Sequence, residues 1–383
     1  MSSSEFSDFG QHLDAIVRPL VRDTLLSIRP YVPGRPIKDV MKEYQVEHVI
    51  KMASNENPVG PSPKAIAAIE DMLGELHRYP DGAAQDLRQA LAAHVGVSDD
   101  AIFVGNGSDE VIKMIAETFL QPGDEMVVPF PSFSQYDFGA HVMGATVIPV
   151  PFASGFQYDL EEMRTHVTAN TKLIYLCSPN NPTGTWLTHR ATAQFIDSLP
   201  ENVIVICDEA YLEYVDTPDP LRSIELIRAG KPVLSLRTFS KMYGLAGMRL
   251  GYALGNPMLI RYLHQVREPF NVNAMAQAAA IAALGDVNHV QKSRAVNNEG
   301  REQLYRGFEQ LGIHYIPTQG NFMIAEVGDG GRVFQELQAK GIIVRAGFPG
   351  IPEFIRVSIG TREENAHFLV ALAEVLGKTL DLR

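Results

Sequence analysis

Cysteine is scarce in this sequence, with only Cys177 and Cys207 among 383 residues. Each ends a strongly apolar run, LIYLC and VIVIC, where a thiol usually behaves as a small buried hydrophobic group. Two cysteines in such positions exclude a fold that depends on a framework of disulfide bonds.

Long apolar runs and a basic leader are also missing. No stretch approaches the ~20 apolar residues that span a bilayer. The N-terminal MSSSEFSDFG has acidic residues where a secretory signal needs positive charge followed by an apolar stretch. We therefore expect no membrane association and a cytoplasmic location.

Positive charge is in the minority. The chain has 33 lysines and arginines against 45 aspartates and glutamates, a formal net charge of −12. This charge repels a nucleic-acid backbone and leaves no broad basic face to bind one. A few arginines in one pocket could still bind a small anion, because salt screens the global charge over about 8–10 Å. The expected partners are therefore small molecules, not nucleic acid.

The pattern that is present predicts an α/β fold. Between residues 101 and 254, short β-branched runs alternate with turns and helical patterns. Seven runs are continuously apolar, which is typical of strands buried on both faces of a mostly parallel sheet covered by helices. They are Ile102–Val104, Glu125–Pro129, Thr146–Val150, Leu173–Cys177, Val203–Cys207, Val233–Leu236 and Leu250–Leu254.

The pattern changes after about residue 287 to a long polar helical stretch, short strands and a closing helix, which indicates a smaller α+β domain. We predict an N-terminal arm and part of the small domain at 1–52, a large domain at 53–287 and the C-terminal small domain at 288–383. The arm is too short to pack as a unit alone, so we expect it to lie against the small domain or a partner subunit.

Two charged residues follow neighbouring strands. Lys241 comes just after Val233–Leu236, and Asp208 ends the run Val203–Cys207. Ligands of open α/β sheets bind at the carboxyl ends of the strands. Taken alone, Lys241 could be a surface lysine and Asp208 the N-cap of a helix. Together they suit a cofactor with a reactive carbonyl and a pyridine ring, because a carboxylate holds the proton on a pyridine nitrogen.

Further motifs provide an amide and an anion site. The loop Ser178-Pro-Asn-Asn181-Pro-Thr-Gly184 follows another strand and can aim the Asn181 amide at one atom. Gly105-Asn-Gly107-Ser108-Asp109-Glu110 precedes a helix, whose N-terminus suits a phosphate together with Ser240 and Arg249. The dinucleotide fingerprint needs a glycine where Glu110 stands. One phosphate, one lysine, one carboxylate and one amide describe pyridoxal phosphate.

From about Ile28 to the last helix, the chain resembles the fold-type-I aminotransferases, and within them the histidinol-phosphate aminotransferase family. The resemblance lies in nine motifs that occur in one order. They are Ile28-Arg-Pro-Tyr31, Ser54-Asn-Glu-Asn-Pro58, Arg78-Tyr79-Pro80, Gly107-Ser-Asp-Glu110, Ser178–Gly184, Asp208-Glu-Ala-Tyr211, Ser240-Lys241, Arg249 and Ile355-Arg356-Val-Ser-Ile-Gly-Thr-Arg362.

The resemblance implies a role for each matching residue. Lys241 resembles the Schiff-base lysine, Asp208 the partner of the pyridine nitrogen, and Asn181 with Tyr211 the pair that bonds the phenolic oxygen of the ring. The phosphate cup comprises Ser108, Asp109, Ser240 and Arg249. Phe133 stands where an aromatic residue stacks on the ring, and the tyrosine hydroxyl of some members is lost there. The remaining roles are substrate contacts by Tyr31, Asn181, Arg345 and Arg356, and a contact from Tyr79 to the cofactor phosphate of the neighbouring subunit.

The implied enzyme is a homodimer with shared active sites. Its implied reaction transfers an amino group from L-histidinol phosphate to 2-oxoglutarate, in histidine biosynthesis. An aromatic amino acid donor is the main alternative, because the stretch from Ala346 to Ile355 between the two arginines is apolar. A carbon–sulfur lyase would use the same lysine and carboxylate. A cofactor-sensing regulator would need an added basic DNA-binding domain, for which this acidic chain has no room.

Overall fold

A computed structural model describes residues 13–26, 28 and 34–380 of the chain. It confirms the predicted α/β fold with a seven-stranded sheet in the order β2-β8-β7-β6-β5-β3-β4. The strands are β2 (Ile102–Gly105), β3 (Glu125–Phe130), β4 (Thr146–Pro151), β5 (Thr171–Cys177), β6 (Ile204–Asp208), β7 (Val233–Thr238) and β8 (Gly251–Gly255). Only β8 runs antiparallel to its neighbours. Each predicted run overlaps one of these strands, although Val203 and Leu250 lie just outside them.

Helices cover both faces of the sheet. In chain order they are α1 (Asp23–Leu26), α2 (Ile37–Tyr44), α3 (Pro63–Met72), α4 (Gln85–Val95), α5 (Ser108–Phe119), α6 (Gln135–Met143), α7 (Leu160–Thr165), α8 (His189–Asp197), α9 (Ser223–Arg228), α10 (Pro257–Val266), α11 (Ala274–Leu284), α12 (Val287–Gln310), α13 (Gly330–Ala339) and α14 (Arg362–Val375). Short 3-10 helices lie at Arg18–Leu20, Leu73–Glu75, Asp99–Ala101, Ser154–Phe156, Leu212–Tyr214 and Ala246–Met248.

The continuous apolar runs are explained by two cores, one on each face of the sheet. Along β5, Leu173 and Tyr175 belong to one core and Ile174 to the other. Successive side chains of a strand point to opposite faces, so a strand covered on both sides needs apolar residues at every position. The charged residues of these strands are therefore found at or next to their ends, as Glu125, Lys172, Asp208 and Arg237 are.

A smaller α+β unit has a core of its own. It contains β9 (Phe322–Glu326) paired antiparallel with β11 (Phe354–Ser358), and β1 (Ile50–Lys51) paired parallel with β10 (Ile342–Ile343). Helix α14 begins with a capping box between Thr361 and Glu364. The domain boundaries proposed from the sequence stay a prediction.

The N-terminal residues contact both units. Helix α2 contacts α13 of the smaller unit, whereas α1 contacts α6 beside the large sheet. No helix within residues 13–26, 28 and 34–380 is long and apolar enough to cross a membrane.

Candidate active site

A pocket of about 420 Å³ lies at the carboxyl ends of β5, β6 and β7, beside the strand pair β9–β11. The last residue of each of the three parallel strands lines it, Cys177, Asp208 and Thr238. The pocket brings together most residues singled out in the sequence. These are Ser108, Asp109, Phe133, Asn181, Asp208, Tyr211, Ser240, Lys241, Arg249, Arg345 and Arg356.

Lys241 follows β7 and is half-buried in the pocket. Its Nζ donates a hydrogen bond to the backbone oxygen of Ser54 at 2.9 Å. Burial, together with the positive charge of Arg356, lowers the pKa of Lys241 to about 8. A neutral amine is therefore more accessible here than on an ordinary lysine, and a neutral amine is the form that attacks a carbonyl carbon.

Asp208 is the last residue of β6 and is 4% exposed. Its Oδ1 accepts a hydrogen bond from the backbone N–H of Ala210 at 3.0 Å, and its Oδ2 accepts one from the hydroxyl of Tyr136 at 2.6 Å. Burial raises the pKa of Asp208 to about 6, although both hydrogen bonds act in the opposite direction. No salt bridge joins Asp208 to a lysine or arginine within the described residues. Its carboxylate can thus accept a cationic N–H group from a ligand in the pocket.

An anion cradle lies at the start of α5. Ser108 is its first helical residue, so unpaired backbone N–H groups face the pocket there. The Arg249 guanidinium lies 3.4 Å from the Asp109 carboxylate. Gly107, at a φ of 85°, allows this arrangement, because a Cβ atom at that position would lie 2.6 Å from Arg249 Nη2. The buried Ser240 adds a hydroxyl beside the cradle.

A hydrogen-bond network joins the opposite wall of the pocket. Tyr211 Oη accepts a hydrogen bond from Asn55 Nδ2 at 3.0 Å, and burial raises the pKa of the Tyr211 phenol. Asn181 Oδ1 accepts a hydrogen bond from Arg356 Nη1, whose Nη2 also donates to the backbone oxygen of Ala53 at 2.6 Å. The Asn181 amide is therefore oriented by an arginine that also lines the pocket.

The two arginines lie on adjacent extended segments. The backbone N–H of Arg345 donates to Arg356 O at 3.0 Å, and that of Arg356 donates to Arg345 O at 2.7 Å. Residues paired in this way project their side chains from the same face. The Arg356 guanidinium also lies 5.4 Å from the ring centroids of both Phe322 and Phe348. Two positive charges beside apolar rings suit a substrate that carries an anionic group.

Of the predicted site residues that the structure describes, Tyr79 does not line this pocket. Tyr79 is 82% exposed and stacks on Phe270 with ring centroids 4.7 Å apart. Tyr31 lies outside the described residues.

Further residues line the pocket or contact its functional groups, and four polar ones among them had no role predicted from the sequence. They are Ser54, Asn55, Tyr136 and Thr238. Asn55 lies inside a motif that matched the family, whereas no local signal in the sequence distinguishes Tyr136 from an ordinary core tyrosine.

The donor set of the pocket fits pyridoxal phosphate. Lys241 could bind its aldehyde carbon, Asp208 its ring nitrogen, and the cradle at Ser108, Ser240 and Arg249 its phosphate. The described residues contain no group of three or more His, Cys, Asp or Glu side chains arranged to hold a metal ion.

Comparisons with known proteins support the fit of this pocket to pyridoxal phosphate. The family model for aminotransferase class I and II matches residues 47–372. The histidinol-phosphate aminotransferase of Moorella thermoacetica is 48% identical over 378 residues, with 98% of each chain covered. That of Anaeromyxobacter sp. is 46% identical over 94% of this chain and 100% of its own length.

A solved structure agrees as well. The histidinol-phosphate aminotransferase of Sinorhizobium meliloti, in complex with pyridoxal 5'-phosphate, superposes with a TM-score of 0.87 at 28% identity. The match covers 93% of this chain and 97% of that one.

Proposed function

The chain belongs to the class I and II aminotransferases, and we propose that it uses pyridoxal phosphate to transfer an amino group from L-histidinol phosphate to 2-oxoglutarate. The products are imidazole acetol phosphate and L-glutamate, which places the reaction in histidine biosynthesis. One observation carries the proposal. Lys241 with its lowered pKa, the buried Asp208 carboxylate and two arginines line a single pocket with an anion cradle.

Each end of the cofactor has a protein group to hold it. The phosphate is bound by the N–H groups at the start of α5, by Ser240 and by Arg249. Asp208 accepts the ring N–H, and Tyr211 with Asn181 holds the phenolic oxygen. Phe133 covers one face of the ring. When bound, pyridoxal phosphate withdraws electrons from the substrate α-carbon and stores the amino group between the two half-reactions.

Lys241 acts twice in this proposal. It would hold the cofactor through Nζ before substrate arrives, and its neutral Nζ would afterwards serve as the base that removes the proton from the substrate α-carbon. Near neutral pH a larger fraction of Nζ is neutral than on an ordinary lysine, because burial and Arg356 lower the pKa of Lys241 to about 8. The Ser54 backbone oxygen, 2.9 Å away, keeps Nζ at the wall of the pocket.

The arginines define the substrate. Arg345 pairs with the phosphate of histidinol phosphate, and Arg356 serves both that phosphate and a carboxylate of 2-oxoglutarate or glutamate. The family resemblance assigns a further substrate contact to Tyr31, which lies outside the described residues. We also propose that 2-oxoglutarate is the acceptor, that the protein is a homodimer in which Tyr79 reaches the cofactor phosphate of the partner subunit, and that its location is cytoplasmic.

A second candidate donor is an aromatic amino acid. The observation that favours it is Phe348, which lines the pocket and lies beside Arg356. An aromatic side chain could pack on that ring while Arg356 holds the donor carboxylate.

A side-by-side assay tests the proposal. The purified protein is supplied with 2-oxoglutarate and one donor at a time, and glutamate formation is measured. We expect kcat/KM for histidinol phosphate to exceed that for phenylalanine. The opposite order moves the assignment to aromatic donors. Keto-acid release from cystathionine without an acceptor would instead indicate a lyase.

A further inference from the structure

Tyr136, on α6, lines the pocket and contacts Asp208. Its side chain is 1% exposed, and its hydroxyl lies 2.6 Å from Asp208 Oδ2. A separation this short is typical of a hydrogen bond to an ionised carboxylate. The other oxygen, Oδ1, accepts only the backbone N–H of Ala210 at 3.0 Å within the described residues. Each carboxylate oxygen therefore has one protein donor and keeps lone-pair capacity for a ligand.

Aromatic rings hold the Tyr136 hydroxyl in place. The Tyr136 ring stacks on Tyr175 with centroids 4.2 Å apart and an interplanar angle of 19°. The Phe133 ring meets it edge-on at 5.6 Å. Both neighbours restrict rotation of the Tyr136 ring, and Phe133 itself lines the pocket. The orientation of Asp208 is thus coupled to the same residues that shape the wall of the cofactor site.

Asp109 and Glu209 are among the charged residues that act on Asp208 through space, and both are negative. Burial, reinforced by the negative charge of Asp208, raises the pKa of the Tyr136 phenol, so the hydroxyl keeps its proton and acts as a donor. The neighbouring Cys177 thiol donates to the backbone oxygen of Pro179 at 3.3 Å. Tyr136 is therefore the side chain that offers a hydrogen-bond donor to the Asp208 carboxylate in the described part of the chain.

We propose that Tyr136 is a positioning residue that holds Asp208 ionised and aimed at the ring nitrogen of the cofactor. This inference rests on the proposed role of Asp208. Without the phenol, the buried carboxylate loses a charge-assisted hydrogen bond and protonates more easily. A protonated Asp208 holds the ring N–H less firmly, and the ring then withdraws electrons less well.

Cofactor binding gives the test a readout besides turnover. The dissociation constants of pyridoxal phosphate and of an analogue whose ring nitrogen is replaced by C–H are measured for the parent, Tyr136→Phe and Tyr175→Phe. We expect Tyr136→Phe to weaken binding of pyridoxal phosphate by about 10-fold and binding of the analogue by less than about 2-fold. Tyr175→Phe is the matched control, because the Tyr175 ring belongs to the same stack without a hydrogen bond to Asp208 in the described residues.

Three outcomes would overturn the proposal. Equal weakening of both cofactors indicates a structural role for Tyr136, and unchanged binding of pyridoxal phosphate shows that Asp208 does not need the phenol. If the parent protein binds both cofactors equally, Asp208 does not contribute to binding through the ring nitrogen. A visible Lys241 adduct in that parent would still leave the enzyme class intact, so the two failures are distinguishable.

A second measurement keeps the test decisive. In an Asp208→Asn background, adding Tyr136→Phe should change the affinity for pyridoxal phosphate by less than about 2-fold, because the carboxylate through which Tyr136 acts is gone. A further loss of about 10-fold in that background contradicts the proposal. Thermal unfolding of the cofactor-free variants shows whether they fold. We expect them to fold, because Tyr136→Phe keeps the stacked ring.

Discussion

At the scale of single residues, the site depends on how burial and charge act on a few titratable groups. Lys241 and Asp208 are both shifted toward their neutral forms, to pKa values of about 8 and about 6. Burial is the largest cause in both cases, because the protein interior solvates charge less well than water does. A cofactor with a pyridinium N–H would supply a positive charge that pairs with the Asp208 carboxylate. Its electrophilic carbon would react with the neutral amine of Lys241.

The first prediction concerns the pH dependence of cofactor loading. Below a pH of about 8, Lys241 is mostly protonated and cannot attack the aldehyde, so the rate of adduct formation should rise through pH 8 and then level off. Arg356→Met removes a neighbouring positive charge and should move this midpoint to higher pH. The measurement is the rate of visible absorbance change after cofactor is added to cofactor-free protein.

Arg332→Met is the control for that experiment. Arg332 is exposed and pairs with Glu336 on α13, so its loss should leave the midpoint where it is in the parent. A midpoint near 10.5 in the parent, as for an ordinary lysine, would contradict the argument from burial.

The second prediction separates the two substrate candidates. If Arg345 pairs with the substrate phosphate, Arg345→Ala should lower kcat/KM for histidinol phosphate by on the order of 10- to 100-fold, since a charge-assisted hydrogen bond contributes about 1.5–3 kcal/mol. The half-reaction with glutamate, which carries no phosphate, should change far less. Single-turnover measurements of both half-reactions test this, and equal losses would assign Arg345 a structural role.

The sequence predicted some residues of the site because their signals are local. Lys241, Asp208 and Asn181 each follow an apolar run, and strand ends on one edge of a parallel sheet converge. Tyr136 could not be found in this way. Its partner Asp208 is 72 positions away in the sequence, and a buried tyrosine on an amphipathic helix usually contributes only to the core. The hydrogen bond between Asn55 and Tyr211 could not be predicted either, because the two residues are 156 positions apart in the sequence.

At the scale of secondary-structure elements, the fold was largely predictable because strands buried on both faces have an unmistakable composition. The reversed direction of β8 was not predictable, since an apolar run carries no sign of its direction. β8 lies between β2 and β7 and antiparallel to both. This arrangement brings Gly251 next to Ser108, so that the loop containing Arg249 reaches the start of α5.

The third prediction concerns the loop between β7 and β8. Gly244 has a φ of 66°, and a Cβ atom there would lie 2.3 Å from the backbone oxygen of Gly60. Gly244→Ala should therefore displace the loop that follows Lys241 and lower the free energy of unfolding by at least about 1–3 kcal/mol. Denaturant unfolding of the cofactor-free protein measures the stability, and visible absorbance measures cofactor occupancy.

Gly247→Ala provides a matched control in the same loop. Gly247 is exposed, and no atom lies within 4 Å of its ideal Cβ position. We expect parental stability and occupancy from this variant. Loss of stability in both variants to the same extent would show that the loop resists any added side chain, and that the contact with Gly60 is not the cause.

At the scale of the whole molecule, the site is built where two units meet. Lys241, Asp208 and the phosphate cradle come from the large sheet, whereas Arg345 and Arg356 come from segments of the smaller unit. The net charge of −12 would repel anionic substrates at a distance. Arginines concentrated in one pocket overcome this repulsion locally, because salt screens the surface charge beyond about 8–10 Å.

The last prediction concerns assembly. Tyr79 is 82% exposed and does not line the pocket of its own chain in the described residues, yet the family resemblance assigns it to a cofactor phosphate. Both facts agree if Tyr79 completes the site of a partner subunit. Lys241→Ala and Tyr79→Ala should then each be nearly inactive alone. Mixing them after subunit exchange should restore about a quarter of the parental activity, because half of the dimers are mixed and each has one complete site.

Tyr262→Ala is the control for the mixing experiment, because Tyr262 is also an exposed tyrosine, on α10, and has no proposed role in the site. This variant should be active alone, and mixing it with Lys241→Ala should dilute its activity without any recovery. Subunit exchange is verified with two affinity tags before activity is measured. If mixed dimers form and the Lys241→Ala and Tyr79→Ala pair stays inactive, Tyr79 does not act across the interface. Its exposed ring, stacked on Phe270, would then require another explanation.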